Sequence, residues 1–290
     1  MRLYTIRHND EEKVAVRNDR GMIALESVGI DVSDMNELIR RYDELKDQIA
    51  ESMSKSDEML KDGSYDILAP IPVPLQDMIC LGVNYRDHIE ETVNVLDFTK
   101  KKDAVYFSKR VNRANDPDGV IPVYDFVDSL DHEVELGVIL EKDALDVSVE
   151  EAGEYILGYT IINDVSARNL QFKHQQWYRG KSLDGYTPMG PCIVTADEIK
   201  DPHDMTLRCF VNDEKRQESN TSLMITTVEE AISELSQGMT LKAGTVIATG
   251  TPGGVCMGME NPVYLKDGDV VRCEIDGIGQ LVNRCGSVGR

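Results

Sequence analysis

The sequence predicts a mostly β protein with a minority of helices, an α+β chain rather than a doubly wound parallel sheet. From about residue 75 onward, short Val-, Ile- and Thr-rich runs are punctuated by glycine and proline at close intervals. These runs rarely alternate with long helical stretches, as βαβ units would require. A third observation divides the chain. An amphipathic pattern early on, followed by the series Pro70, Pro72 and Pro74, predicts a small β-plus-helix module over residues 1–74 and a main domain over 75–290.

In order, Leu3–Ile6 and Val14–Arg17 read as strands flanking the turn region Asn9-Asp10-Glu11-Glu12, and Met22–Leu25 follows Asp19-Arg20-Gly21. A helix capped by Ser33 is predicted next, because Met35, Leu38, Ile39, Tyr42, Leu45 and Ile49 recur at helical spacing with charges opposite. In the main domain the expected strands are Met78–Val83, Val105–Ser108, Glu133–Leu140, Gly158–Asn163, Pro191–Val194, Leu207–Val211, Thr245–Thr249 and Asp269–Ile275. The clearest helices there are Val149–Glu154, Ser166–Trp177 and Val228–Ser236.

Composition narrows the function classes. The 290 residues carry 52 Asp and Glu against 31 Lys and Arg, a net charge of −21, which repels phosphate backbones and anionic membranes. No nucleic acid and no membrane are therefore expected as partners. No apolar run approaches the roughly 20 residues that span a bilayer, and the N-terminus carries no apolar signal-like region. The six cysteines lie too far apart for a zinc cluster and read as reduced, buried small hydrophobes. A soluble cytoplasmic protein is the expectation.

The segment Leu130–Leu140 carries the strongest chemical signal. Alternation along a strand puts Leu130, His132, Val134, Leu136, Val138 and Leu140 on one face, and Asp131, Glu133 and Glu135 on the other. Three neighbouring like charges need a proton or a cation if buried, and a hard divalent ion with oxygen ligands meets that need. An acidic outer face of an edge strand explains the same pattern. Asp164 follows an apolar strand at the expected N-cap of the next helix, where capping alone accounts for an Asp. Arg168 and Gln171, at i+4 and i+7, would share its side.

Two Gly/Pro-rich loops follow. Gly180–Pro191 carries Lys181, and Ala248–Val255 offers backbone N–H groups and the Thr251 hydroxyl as an anion cradle. Tight-turn chemistry explains either loop equally. His88 and Glu91, at i and i+3, would meet across one helical turn, so that the carboxylate orients the imidazole.

Taken in order, Asn84-Tyr85-Arg86-Asp87-His88, Glu133-Val134-Glu135, Asp164-Val165-Ser166-Ala167-Arg168, Gly180-Lys181-Ser182-Leu183-Asp184 and Thr249-Gly250-Thr251-Pro252 closely resemble the fumarylacetoacetate hydrolase family. The resemblance covers roughly residues 75–290, including the region of Gln217, Asn220 and Thr221 and the turn Asp267-Gly268-Asp269. It points to the bacterial branch of acylpyruvate hydrolases and 2-hydroxyhepta-2,4-diene-1,7-dioate isomerases. Residues 1–74 resemble the variable N-terminal module of bacterial members.

The resemblance implies a mixed β-sandwich roll, barrel-like in its C-terminal domain, and a homodimer. It implies Glu133, Glu135 and Asp164 as ligands of Mg²⁺, with Mn²⁺ or Ca²⁺ as substitutes, and small 2-oxo or 2,4-dioxo acids as substrates. Arg168 and Gln171 would hold substrate oxygens, and Lys181, Gly250 and Thr251 would neutralise developing negative charge. His88, oriented by Glu91 on a mobile lid over Asn84–Lys102, would be the general base. C–C bond hydrolysis of acylpyruvate-like acids is the first expectation, with oxaloacetate-type decarboxylation and keto–enol isomerisation on the same site as alternatives. A metal-stabilised binding protein without turnover is the non-enzymatic alternative.

Overall fold

In a computed structural model, residues 1–93 and 103–287 are described. Strands β1 (Arg2–His8), β2 (Glu11–Asn18) and β3 (Gly21–Ala24) form an antiparallel meander, and β4 (Asp66–Ile67) pairs with β1. Next come β5 (Met78–Gly82), β6 (Val105–Lys109), β7 (Val120–Val123), β8 (Leu130–Asp131), β9 (Val134–Leu140) and β10 (Ile156–Asn163). Then follow β11 (Ser166–Ala167), β12 (Met189–Thr195), β13 (Thr206–Val211), β14 (Glu214–Asn220), β15 (Val246–Ala248), β16 (Val270–Ile275) and β17 (Gly279–Ser287).

One large sheet runs β3-β2-β1-β12-β10-β9-β15-β5-β6, and a second runs β14-β13-β16-β17-β7. Both are open, so the mostly β expectation holds as a mixed sandwich and neither sheet closes into a barrel. Because β1 pairs with β12, the first strands extend the large sheet at its edge.

The two faces of β9 explain its full burial. Val134, Leu136 and Val138 join Leu207, Cys209, Val271 and Cys273 of the second sheet in one core. Ile139, with Leu157 and Ile193, packs instead with the N-terminal helices. A strand covered on both sides reads as a nearly continuous apolar run. The helical layer is α1 (Met35–Arg40) and α2 (Tyr42–Lys55). The single helix capped by Ser33 is corrected here. Asp34 caps, its carboxylate accepting the Glu37 N–H at 2.8 Å, while Ser33 donates to the Glu37 side chain. The chain also leaves helical geometry at Arg41, which joins α1 to α2.

Where β10 lies against β12, the register shifts between Tyr159 and Ile161, and Gly158 sits opposite Thr195. A Cβ on Gly158 would stand 2.2 Å from the Val194 carbonyl oxygen and 2.9 Å from Thr195 Cα. Both are backbone atoms held in the ladder. Gly158→Ala is expected to cost roughly 1–3 kcal/mol, the scale of an overpacked core, read as a lower urea midpoint at unchanged slope.

Candidate active site

The antiparallel register of β9 and β10 pairs Val134 with Asn163 and Glu135 with Ile162, which brings Asp164 beside Glu133 at the strand ends. Asp164 N–H donates to the Glu133 carbonyl at 2.9 Å, and the Asn163 side-chain oxygen accepts the Glu133 N–H at 3.0 Å. Alternation places the Glu133 and Glu135 carboxylates on one side, and one oxygen from each of Glu133, Glu135 and Asp164 lies within 4.8 Å of the others. All three residues are buried.

Their neighbours are cations. Lys181 Nζ lies 2.5 Å from Glu133 Oε2 and 2.7 Å from Asp164 Oδ2. Lys109, fully buried, pairs with the other Asp164 oxygen and also donates to the Tyr186 carbonyl at 2.6 Å. Arg168 joins Glu133 Oε1 through Nη2 at 2.6 Å and Asp131 Oδ2 through Nε at 2.9 Å. Asp131 also accepts the backbone N–H groups of His132, Cys256 and Met257. Glu135 stands apart from this row; its Oε2 accepts the Gly250 N–H at 2.8 Å.

The electrostatic consequences divide the acids. Burial opposes ionisation of Asp131 and Glu133, but Arg168 on the first, and Lys181 with Arg168 on the second, outweigh it and hold each carboxyl at about 2. Glu135 goes the other way. Burial, then Asp164 and Glu133, push its carboxyl well above the usual range. A hard divalent cation fits this set: three converging carboxylates with no soft donor among them, one of them short of positive charge.

The imidazole comes from α3 (Arg86–Thr92), which starts just beyond the end of β5. His88 is buried, and its Nδ1 lies 2.8 Å from Glu91 Oε1. Glu91 Oε2 is fixed in turn by the Gly254 N–H at 2.7 Å. A carboxylate at Nδ1 makes that nitrogen the donor and leaves Nε2 with a free lone pair. His88 then lines a narrow cavity together with Glu133, Glu135, Arg168, Lys181 and Thr251. Leu81, Phe107, Trp177 and Met257 form its apolar wall.

Several expectations about these residues need correction or completion. Asp164 is no helix cap: Ser166 and Ala167 pair with β8, and α5 runs only from Arg168 to Lys173. Its carboxylate serves two lysines instead. Arg168 and Gln171 do meet, Nη1 to Oε1 at 2.9 Å, and both line the cavity. Lys181 sits at the end of the short helix α6 (Tyr178–Lys181) rather than in a loop. The Gly250 N–H is committed to Glu135 and the Thr251 hydroxyl proton to the Val134 carbonyl at 2.9 Å. The proposed lid is described only as far as Val93; its remainder, with Lys100-Lys101-Lys102, lies outside the described residues. His132 is buried as expected, its imidazole pushed below its ordinary value chiefly by burial, with Nδ1 at 3.1 Å from Gln217 Oε1.

Sequence reasoning missed Lys109 and the roles of Gln217 and Asp131. Lys109 had a signal: it shares a face of β6 with Phe107, which lines the cavity.

Fold and site together define a class, mixed β sandwiches whose buried carboxylates converge beside a buried imidazole. The chain belongs to the fumarylacetoacetate hydrolase family: residues 77–285 match the family described as fumarylacetoacetate (FAA) hydrolase C-terminal. An oxaloacetate tautomerase of Bacillus subtilis is 40% identical over 245 residues, 82% of this chain and 81% of that one. A mitochondrial oxaloacetate tautomerase of Xenopus laevis is 38% identical, over 80% of this chain and 72% of that one. Among solved structures, a fumarylacetoacetate hydrolase from Exiguobacterium antarcticum superposes with a TM-score of 0.84 at 36% identity, covering 99% of this chain and 100% of that one. Maleylpyruvate hydrolase from Sphingobium sp. SYK-6, in complex with manganese(II) and pyruvate, gives 0.81 at 26% identity, with both chains fully covered.

The depressed carboxyl of Asp131 carries a pH signature. With its value at about 2 against 3.8 for a free Asp, its stabilisation is complete above about pH 4 and is lost as pH falls towards 2. Asp131→Asn is expected to remove roughly 2 kcal/mol at neutral pH. The variant should also flatten the fall in stability between pH 4 and 2 in urea titrations at stepped pH.

Proposed function

We propose that this protein is a divalent-cation-dependent keto–enol tautomerase of oxaloacetate-class 2-oxo acids, acting as a homodimer. The observation that carries the reading is the His88–Glu91 pair, 2.8 Å apart, with His88 lining the same cavity as Glu133 and Glu135, two of the three clustered carboxylates. The names of the Bacillus and Xenopus relatives support the reaction, and the manganese and pyruvate bound to the maleylpyruvate hydrolase support the cation and the substrate class. The carboxylates of Glu133, Glu135 and Asp164 would hold Mg²⁺, with Mn²⁺ or Ca²⁺ as substitutes, and the ion would supply a Lewis acid for adjacent substrate oxygens.

The chain's own groups do the rest. His88 Nε2 takes a proton from the carbon beside the carbonyl, and Glu91 stabilises the imidazolium that results. The imidazolium then hands that proton to the enolate oxygen, which completes the enol, and the reverse direction carries the enol O–H proton through Nε2 back to the carbon. Arg168 and Lys181 bring positive charge to the cavity wall, where negative charge develops on the substrate oxygens. Gln171, gripped by Arg168, presents its amide to the same space. Hydrolysis of an acylpyruvate, the first expectation from the sequence, remains the second reading, because the same buried imidazole serves equally to activate a water.

Three outcomes test the proposal. In calorimetry, Glu133→Gln and Asp164→Asn should each lose Mg²⁺ affinity while keeping the fold; unchanged affinity in both overturns the cation assignment. Decay of the ultraviolet absorbance of enol-oxaloacetate should be accelerated by the Mg²⁺ form and not by the EDTA-treated protein. His88→Ala should lower kcat in that assay by on the order of 10²–10⁴ with Mg²⁺ affinity retained. An acylpyruvate panel run in parallel decides the second reading.

A further inference from the structure

Gln217, on β14 of the second sheet, is 1% exposed and uses its whole side-chain amide. Its Oε1 accepts the Val134 N–H at 3.1 Å, and its Nε2 donates to the Pro252 carbonyl at 2.9 Å and to Thr251 Oγ1 at 2.8 Å. The orientation follows from the partners. A backbone N–H can only donate and a carbonyl can only accept, so the amide oxygen must face Val134 and the nitrogen must face Pro252.

That orientation fixes a proton one residue further on. The second Nε2 hydrogen points at Thr251, so the Thr251 hydroxyl must accept from Gln217. It then donates to the Val134 carbonyl at 2.9 Å. A hydroxyl has one proton and two lone pairs. The proton and one lone pair are committed, and the second lone pair is what the Thr251 hydroxyl has left for the cavity that the residue lines.

We infer that Gln217 is a positioning residue that sets the Thr251 hydroxyl as a hydrogen-bond acceptor, so that the site selects ligands bearing an O–H there, an enol or a 2-hydroxy acid, over ligands offering only anionic oxygens. The inference deepens the tautomerase reading and rests on it for the ligand class. An anionic oxygen facing that lone pair meets repulsion. An enol hydroxyl meets an acceptor whose direction is already fixed, and a buried acceptor left without a donor penalises the ligand that lacks one. Reversing the Thr251 proton towards a ligand would strip the Val134 carbonyl, buried between Glu133 and Glu135, of this donor.

The test uses the Mg²⁺-loaded protein and two probes, malate, which carries a 2-hydroxyl, and oxalate, which carries none. Dissociation constants from calorimetry give a malate-to-oxalate ratio for each variant. Thr251→Val should weaken malate relative to oxalate about tenfold, the scale of one hydrogen bond, and Thr251→Ser should restore the wild-type ratio. Gln217→Met frees the Thr251 proton to turn and should shift the ratio the same way. A role confined to stability would lower the thermal midpoint and leave the ratio alone. If Gln217→Met does not fold, the two Thr251 variants decide the acceptor assignment alone. An unchanged ratio in Thr251→Val overturns the inference whatever the activity. A shifted ratio in a protein that does not tautomerise oxaloacetate upholds it and overturns the functional reading instead.

Discussion

An alternating row of buried charges governs this structure: Asp131, Arg168, Glu133, Lys181, Asp164, Lys109. Each inner member touches an opposite charge on either side, and all six are buried. Carrying any of them out of water costs several kcal/mol before pairing offsets it. The row is tolerable only as a whole, because removing one ion strands its neighbours. Glu135 lies beside the row with a backbone N–H on one oxygen, and that imbalance makes the centre receptive to a further cation.

The scaffold delivers this row from the large sheet, from the β8–β11 pair and from the short helices that follow it. β9 and β10 present Glu133 and Asp164 at adjacent strand ends, a placement set by their register. The edge strand β6 inserts Lys109, and the two short helices after β11 carry Arg168 and Lys181. From the opposite sheet, Gln217 ties the 251–252 turn to the backbone between the two glutamates. Gly250, at φ +93, permits the approach of that turn to Asn84, whose Cβ would stand 2.7 Å from a Cβ at Gly250. Asn84 reciprocates by donating to the Thr249 carbonyl at 2.8 Å. The cavity is thus braced on the side from which His88 enters.

What could be read in the sequence follows from how local each signal is. Period-two alternation disclosed the shared face of Glu133 and Glu135, and three-residue spacing disclosed His88 with Glu91, because both are properties of one element. Asp164 was misread as a cap because its true partners, Lys109 and Lys181, are 55 and 17 residues away. The Ser33 cap failed for a smaller reason: Ser33 and Asp34 both suit the position, and only the geometry shows which accepts the Glu37 N–H. The strands β7, β14 and β17 escaped notice, and the role of Gln217 with them, since β14 (Glu214–Asn220) is polar and half exposed. Its one deeply buried amide looks like any surface glutamine until the second sheet is folded over it.

The wide separation in sequence of the row's members also bears on how the chain reaches its native state. Lys109, Asp131 with Glu133, Asp164 with Arg168, and Lys181 arrive on four stretches of chain, and the apolar core around them spans both sheets. A collapsed intermediate that sequestered the acidic strand end before Lys109 or Lys181 docked would hold bare carboxylates in a medium that repels them. Hydrophobic collapse and charge closure must therefore coincide, which disfavours partly assembled sandwiches and sets the barrier at a late, nonlocal step. The electrostatics that shape the centre thus also act as a checkpoint on its assembly.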